Sequence, residues 1–325
     1  MALLRRSEMV IAGILLLAMV LIGTINPAFW QLDNLFSLMR SNVIIGIMAL
    51  GVLLVLISGG IDVSFPAFAV ASMYLTIKGM LALGYNGVVL PLLAATLMGL
   101  LLGAVNGFFV YKFRMIPLIV TLGTSAMVRG FLLGVVGTSM ININKMPTAL
   151  IDFARTDVIS VTKADGTTYG LTAMVLIYLG LAVAMHLVLR YTMIGRSAYA
   201  LGGDPEAARR AGFDLRKTIF FIYCVAGALA GFAGLLHSGM IWLANPRDFV
   251  GLELDVIAAV VLGGASIFGG RGSVLGTMLG VFMLVMVKNS LIIMKVDTTW
   301  QLVAVGLIVI VATALSAWRD RRRMA

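Results

Sequence analysis

Four ionisable residues lie beside or inside long apolar runs, where a charge is costly and usually serves a function. They are Asp62, Arg129, Glu253 and Asp255. Asp62 and Ser64 follow the apolar run that ends near residue 57, and the two later acids begin another run. Carboxylates, a hydroxyl and a guanidinium in such places can contact a polar solute inside apolar surroundings. We therefore expect these five residues to line part of a path for a small polar molecule.

Each of these residues also has a plainer interpretation. Asp62 or Ser64 could cap a helix that Pro66 helps to start. Arg129 is roughly 18 Å into its run at 1.5 Å per residue, and its side chain could instead extend back to the lipid headgroups. The same is true of Lys288. The sequence leaves both interpretations open.

Residues that usually perform covalent or metal chemistry are scarce. Cys224 is the only cysteine, and His186 and His237 are the only histidines. They are too few for a disulfide, a metal cluster or a hydrolytic triad. The glycine-rich stretch 263–276 lacks the Lys-Ser/Thr pair of a phosphate-binding loop. The sequence therefore predicts no catalytic residue, no metal, no cofactor and no nucleotide site in this chain.

A short capped helix is predicted within the basic stretch 190–217. Asp204 is a good N-cap residue, Pro205 suits the first helical position, and Glu206 favours the positive end of the helix. Gly212 can terminate the helix. A helix with such defined ends, held between two apolar runs, is typical of a docking element, although a surface helix that merely connects two spans is the plainer alternative.

Several stretches, in this order along nearly the whole chain, resemble the membrane permease subunits of bacterial ABC importers for sugars, the ribose and autoinducer-2 permease group. They are Asn26-Pro27-Ala28-Phe29, Asn34-Leu35-Phe36, Ser58-Gly59-Gly60-Ile61-Asp62-Val63-Ser64, Arg190, Gly195-Arg196, Ala200-Leu201-Gly202-Gly203, Glu206-Ala207-Ala208 with Gly212, residues 253–264, and Gly269-Gly270-Arg271-Gly272. The chain departs from that family at Phe65-Pro66, where a small, glycine-containing pair is usual.

The resemblance implies an ATP-driven importer whose ATP is bound by a separate ATPase subunit. It makes the 202–212 stretch similar to the coupling helix that contacts the ATPase, with these candidate coupling residues: Gly202, Gly203, Asp204, Glu206, Ala207, Ala208, Arg209 and Gly212. It also implies a periplasmic sugar-binding protein, a second permease copy or paralogue, and the bacterial inner membrane. An ion-coupled secondary transporter is the alternative, and it needs titratable groups at mid-membrane. A membrane scaffold or receptor is a further one.

The composition defines the elements that must position these residues. Of 325 residues, 61% are hydrophobic and 12% are charged, against about 45–50% and about 25% in a soluble domain. These values exclude a soluble enzyme and a disordered tail. They also exclude a nucleic-acid-binding domain, because the basic residues lie in short loops between apolar runs and not on one soluble face. We expect one all-α domain over 1–325, embedded in a lipid bilayer with about ten transmembrane helices. The predicted spans are 9–25, 41–57, 65–83, 88–111, 115–136, 171–189, 218–236, 252–268, 273–293 and 299–317.

Eight spans with two half-membrane segments fit almost as well, and 252–268 is the weakest span because two acids begin it. Most of the 24 basic residues fall on one side when the spans alternate. The positive-inside rule then places both termini and the 190–217 loop in the cytoplasm, and the 137–170 loop in the periplasm. Gly99, Gly103 and Gly107 recur every four residues, which predicts close helix packing within the chain or at a subunit interface.

Overall fold

The computed structural model describes residues 2–163, 166, 168–295, 297, 300, 303, 306, 307 and 310, without the side chains of residues 2–7. This part of the chain is mostly helical, as backbone in lipid must be. The helices are α1 (Ala2–Ile25), α2 (Leu32–Ile57), α3 (Phe65–Leu83), α4 (Val89–Lys112), α5 (Pro117–Phe131), α6 (Thr148–Arg155), α7 (Met174–Tyr191), α8 (Met193–Gly203), α9 (Pro205–Arg210), α10 (Leu215–Ile241), α11 (Leu252–Leu262) and α12 (Val274–Ile293). A π-helical turn, Leu132–Val136, continues α5.

Eight of the described helices are long and apolar enough to cross a membrane. They are α1, α2, α3, α4, α5 with its π-helical turn, α7, α10 and α12. The chain is thus a multi-pass membrane protein with one fewer span than the sequence predicts up to residue 293. The tenth predicted span, 299–317, lies largely outside the described residues.

The predicted span 252–268 is wrong. α11 contains only 11 residues, or about 16 Å of helix, whereas a span needs about 20 residues. The helix ends at Gly263 and Gly264, and Gly264 adopts a φ of +91° that continues no α-helix. The remainder of the predicted span is an irregular glycine-rich segment that leads into α12.

The described chain is mostly helical, in agreement with the predicted all-α class, but it also contains a pair of strands. Strands β1 (Asp157–Thr162) and β2 (Thr168–Thr172) form an antiparallel hairpin within the predicted periplasmic loop. Four of the five residues in 158–162 are β-branched, which favours such a strand, and the described residue at the turn is Gly166 with a φ of +83°. The hairpin lies beside α6, so the 137–170 loop is a folded cap rather than a plain connection.

Helices α2 and α10 form the centre of the bundle, and α4 packs on α10 through backbone. A Cβ atom added at Gly99 would collide with the carbonyl oxygen of Gly227, and one at Gly103 with that of Tyr223. The four-residue glycine spacing therefore serves contacts within this chain, as one of the two interpretations of the spacing predicts.

The connecting segments gather at two opposite ends of the bundle. The docking end joins the start of α1, the α2–α3 turn, α8 and the segment after α11, through Ser273–Glu8 (2.5 Å), Gly270–Ile57 (2.8 Å) and Tyr199–Gly272 (2.8 Å) hydrogen bonds. The hairpin end joins the starts of α2 and α6 to the hairpin and the segment after α3, through Lys163–Asp33 (2.5 Å) and Asn86–Thr148 (2.8 Å). This grouping agrees with the alternation of the spans; which end faces the cytoplasm stays a prediction.

Candidate functional site

The predicted docking helix is present as α9 at the docking end. The Asp204 carboxylate accepts hydrogen bonds from the N–H groups of Glu206 (2.9 Å) and Ala207 (3.0 Å), and Pro205 occupies the first turn. These bonds satisfy N–H groups that have no partner inside the helix. The capping interpretation of the sequence is therefore confirmed for α9.

The exit from α9 is a glycine turn. Gly212 has a φ of +86°, and the N–H of Phe213 donates to the Ala208 carbonyl at 3.2 Å. This arrangement is a common helix terminus that favours glycine. Ala208 is buried against the rest of the loop, whereas Ala207 and the Glu206–Arg209 ion pair (2.8 Å) are exposed. One face of α9 is therefore exposed at the surface of the chain.

The next helix also begins with a capping carboxylate. Asp214 accepts a hydrogen bond from the N–H of Lys217 at 3.0 Å at the start of α10. That bond holds the pKa of the Asp214 carboxyl below its usual range, and the Lys217 ammonium, 3.2 Å away, acts in the same direction. The Asp214 cap thus fixes the connection between α9 and the central helix α10.

Gly202, near the end of α8, is part of a backbone junction at the docking end. A Cβ atom at Gly202 would collide with the Ile57 carbonyl oxygen and lie 2.6 Å from the Gly270 nitrogen. The Gly270 N–H donates to that same Ile57 oxygen at 2.8 Å, and Gly59 lies beside Gly202. We call Gly59, Gly202, Gly269 and Gly270 the glycine junction. A Cβ atom added at Gly203, by contrast, would have no described atom within 4 Å.

Asp62 and Ser64 are buried together just beyond the glycine junction. The Asp62 carboxylate accepts from the Ser64 N–H (2.7 Å) and hydroxyl (2.6 Å), and Ser64 in turn accepts from the Asn106 amide of α4 (2.8 Å). The Asn106 carbonyl oxygen accepts from the Thr124 hydroxyl of α5 (2.8 Å). Ser64 makes no side-chain cap of α3, so capping by Ser64 is wrong. We call these four residues the polar network.

Asn106 and Thr124 are absent from the residues that the sequence singles out. Both lie inside apolar helices, and only the packing of α4 and α5 against the α2–α3 turn brings them to Asp62. The sequence feature that could have identified them is a single polar residue within an apolar run, such as Asn106 between Gly103 and Gly107. The hydroxyl of Tyr223, next to Gly60, is also buried, and no described residue forms a hydrogen bond with it.

Arg129, in the last turn of α5, and Glu253, in the first turn of α11, both lie toward the hairpin end. The Arg129 guanidinium donates to the carbonyl oxygens of Asp248 (3.4 Å) and Phe249 (3.2 Å), and it interacts electrostatically with Glu253. The Arg129 guanidinium therefore has protein partners, and the interpretation that its side chain extends back to the lipid headgroups is not needed. The His237 ring packs on Phe249 with ring centroids 4.5 Å apart. We call Arg129, His237, Asp248 and Glu253 the hairpin-end cluster; burial raises the pKa of the Asp248 carboxyl.

Asp255 takes a different direction from Glu253. It forms an ion pair with Lys288 of α12, because residues two apart on a helix face roughly opposite sides. Lys288 therefore has a protein partner, and the interpretation that it extends to the headgroups is not needed. Asp255 joins α11 to α12 and does not adjoin Arg129.

Residues 34–313 match the family described as branched-chain amino acid transport system / permease component. The chain is 32% identical over 321 residues to the ribose import permease protein of Haemophilus influenzae, covering 97% of this chain and 94% of that protein. It is 32% identical over 311 residues to the ribose import permease protein of Bacillus subtilis, covering 96% and 92%. It is 29% identical over 303 residues to the D-allose transport system permease protein of Escherichia coli, covering 93% and 89%. No solved structure matches the chain.

A bundle of membrane-spanning helices with a buried polar network and a short capped helix at one end is typical of multi-pass membrane permeases. The chain belongs to the family of branched-chain amino acid transport system permease components. Its similarity to ribose and D-allose permeases confirms the resemblance to permease subunits of ABC sugar importers.

Proposed function

We propose that this chain is the membrane-spanning permease subunit of an ATP-driven importer for a monosaccharide. Similar proteins named for ribose and D-allose extend over nearly the whole chain, which supports a pentose or hexose as the solute. In this proposal the permease itself makes and breaks no covalent bond. A separate ATPase subunit binds and hydrolyses ATP, and the permease carries no cofactor.

The single observation that carries the coupling part of this proposal is the exposed face of α9. Both ends of the helix are fixed, by the Asp204 cap and the Gly212 turn, so docking orders few additional groups and costs little conformational entropy. Ala207 permits close approach of a partner, and the Glu206–Arg209 pair orients polar contacts around it. The ATPase subunit contacts this face.

The glycine junction extends the coupling into the membrane. Gly202 is two residues before the Asp204 cap and lies against the last carbonyl of α2. Movement of α9 therefore displaces the α2–α3 turn, which carries Asp62 and Ser64. The polar network then passes the displacement to α4 and α5.

The other partners follow from the two ends of the bundle. Exposed basic residues at the docking end, including Arg209, Arg210 and Lys217, favour a cytoplasmic location for that end in the bacterial inner membrane. A periplasmic sugar-binding protein delivers the solute at the hairpin end. A second copy of the permease, or a paralogue, completes the path, to which Asp62, Ser64, Arg129 and Glu253 contribute directly; Asp255 positions α11.

Reconstitution tests the proposal. The chain is purified by an affinity tag with its ATPase, placed in proteoliposomes, and supplied with the sugar-binding protein and radiolabelled D-ribose, D-allose or D-fructose. We expect uptake that requires ATP on the docking end and persists after an ionophore collapses ion gradients. Uptake that follows an ion gradient without ATP contradicts the proposal and supports a secondary transporter.

A further inference from the structure

The hairpin-end cluster contains buried acceptors without partners. The Asp248 Oδ2 and Glu253 Oε2 atoms are both buried, and neither has a hydrogen-bond partner among the described residues. The nearest approach to Asp248 Oδ2 is His237 Nε2 at 3.9 Å, which is too long for a hydrogen bond. Buried polar atoms in folded proteins are nearly always satisfied, by protein or by ordered water, so these two acceptors can take hydrogen bonds from a polar molecule bound in the cluster.

The donors of the cluster are held in a fixed geometry. Two nitrogens of Arg129 donate to the carbonyl oxygens of Asp248 and Phe249, which leaves further N–H groups of the same planar guanidinium for another acceptor. Arg129 and Glu253 interact electrostatically but form no ion pair in the described part of the chain. The Arg129 donor and the Glu253 acceptor are therefore not joined to each other, and both can contact a bound molecule.

The mixture of groups selects the chemistry of the ligand. Arg129 opposes binding of a cation, and the carboxylates of Asp248 and Glu253 oppose binding of an anion. A hydroxyl group donates one hydrogen bond and accepts others, so neighbouring hydroxyls of a neutral molecule satisfy both kinds of group together. The Phe249 ring, packed on His237, adds an apolar surface for C–H groups.

The elements that carry the cluster support a role in transit. Arg129 lies in the last turn of α5, shortly before the π-helical turn Leu132–Val136, and Glu253 lies in the first turn of α11, the helix too short to span the membrane. Interruptions of helices at membrane depth are tolerated where they are buried in protein or line a cavity. They therefore place the cluster where a solute can meet side chains and exposed backbone together.

We propose that the hairpin-end cluster, Arg129, His237, Asp248 and Glu253, binds the hydroxyl groups of a monosaccharide during its transit from the hairpin end. Glu253 and Asp248 accept from sugar hydroxyls, and Arg129 donates to them. This inference rests on the proposed function and adds a specific contact site on the path, at the end opposite the docking helix.

The test uses the complete transporter in proteoliposomes, with uptake of radiolabelled D-ribose, D-allose and D-fructose at saturating binding protein. Glu253→Gln and Arg129→Gln should each lower the maximal uptake rate at least tenfold. The concentration of sugar-loaded binding protein that gives half-maximal rate should change less than twofold, because the docking contact lies elsewhere. Arg40→Gln, which removes an exposed charge at the same end (3.8 Å from Asp157), should retain the wild-type rate.

A charge-conserving variant separates sugar binding from a purely structural role of Arg129. Arg129→Lys keeps the positive charge but loses the planar set of N–H donors, so the melting temperature of the complex should change little while uptake falls at least fivefold. Wild-type uptake by Arg129→Lys, with an unchanged melting temperature, overturns the inference. If Glu253→Gln fails to assemble, Asp248→Asn, in the loop, serves instead and should lower uptake at least fivefold.

The outcome for the unaltered protein distinguishes the two proposals. Wild-type complex that carries none of the three sugars contradicts the proposed function. Wild-type uptake together with single variants within twofold of it contradicts only the role of the hairpin-end cluster.

Discussion

The N–H of Gly270 donates to the carbonyl oxygen of Ile57 over 2.8 Å, so the last turn of α2 is capped by a residue from the segment before α12. This bond satisfies a helix-terminal carbonyl that has no partner within its own helix. Gly202 fits beside the same oxygen only because it lacks a side chain. Three distant segments thus meet through backbone atoms at the docking end.

Substituting Gly202 by alanine should destabilise the protein. The added Cβ collides with the Ile57 carbonyl, and overpacking of this kind costs about 1–3 kcal/mol. We expect a lower melting temperature for the detergent-solubilised chain, measured by fluorescence-detected unfolding. Gly203→Ala is the matched control, because the neighbouring position is open; equal melting temperatures for the two variants would show that the junction tolerates a side chain.

Substituting Gly212 by valine should uncouple transport from ATP hydrolysis. The positive φ at this position costs a residue with a Cβ atom roughly 1–2 kcal/mol, and more for a β-branched one, so the exit of α9 must rearrange. Uptake and sugar-stimulated ATP hydrolysis should both fall sharply, while the binding protein still docks at the other end. Gly212→Asn, which tolerates this backbone conformation, should retain most of the activity. Wild-type activity of the valine variant makes this loop a mere connector.

Removal of the Asp62 carboxylate should weaken the polar network. Asp62→Ala leaves the buried N–H and hydroxyl of Ser64 without their acceptor, at a cost of about 1–3 kcal/mol. Uptake should fall, whereas Asp62→Asn, which keeps an acceptor oxygen, should lose less. Uptake assays and the yield of assembled complex measure the two effects. Unchanged uptake in the alanine variant would exclude a role of this network in transport.

The start of α10 should become less protected at acidic pH. The pKa of Asp214 is lowered in the folded chain, so its contribution to stability is present above the unfolded value of about 3.9 and is lost as pH falls through the folded pKa. The protection factor of the Lys217 amide, which compares its exchange rate with that of an unstructured chain at the same pH, should therefore fall at acid pH. Asp214→Asn keeps a capping oxygen and should show no such dependence; the same pH response in both variants would assign it to another group.

Cysteine labelling tests the orientation of the two ends. In a Cys224→Ala background, a cysteine at Lys217, an exposed position outside α9, should react with a membrane-impermeant maleimide only after the cells are opened. A cysteine at the exposed position Ile143, at the hairpin end, should react in intact cells. The reverse pattern would invert the proposed topology.

The local features of the chain were predictable, and the features that depend on packing were not. Asp204, Pro205 and Gly212 define α9 through neighbours only a few residues away, which is why sequence placed that helix correctly. Helix α8 was not predicted, because its residues do not form an apolar run. The hairpin escaped because a short strand pair inside a polar loop gives a weak pattern beside nine strong apolar runs.

The candidate site shows the same limit. Asp62 and Ser64 stand out as polar residues next to an apolar run, but their partners Asn106 and Thr124 come from two other helices. No spacing in the sequence relates those four residues. Glu253 and Asp255 looked like one acidic pair, although a helix turns about 200° over two residues and sends them to Arg129 and Lys288, respectively.

The glycine contact between α4 and α10 has a consequence for how the protein is made. Residues 113–214 are synthesised after α4 and before α10 begins, which takes roughly 5–20 s at ordinary rates of translation. Throughout that interval the Gly99–Gly103–Gly107 surface of α4 faces lipid or other nascent helices, since its backbone partner does not yet exist. Helix α10 must therefore pack beside α4 late in membrane insertion. Chains truncated before α10 lack this partner, so their α4 is the most exposed to pairing with a wrong helix.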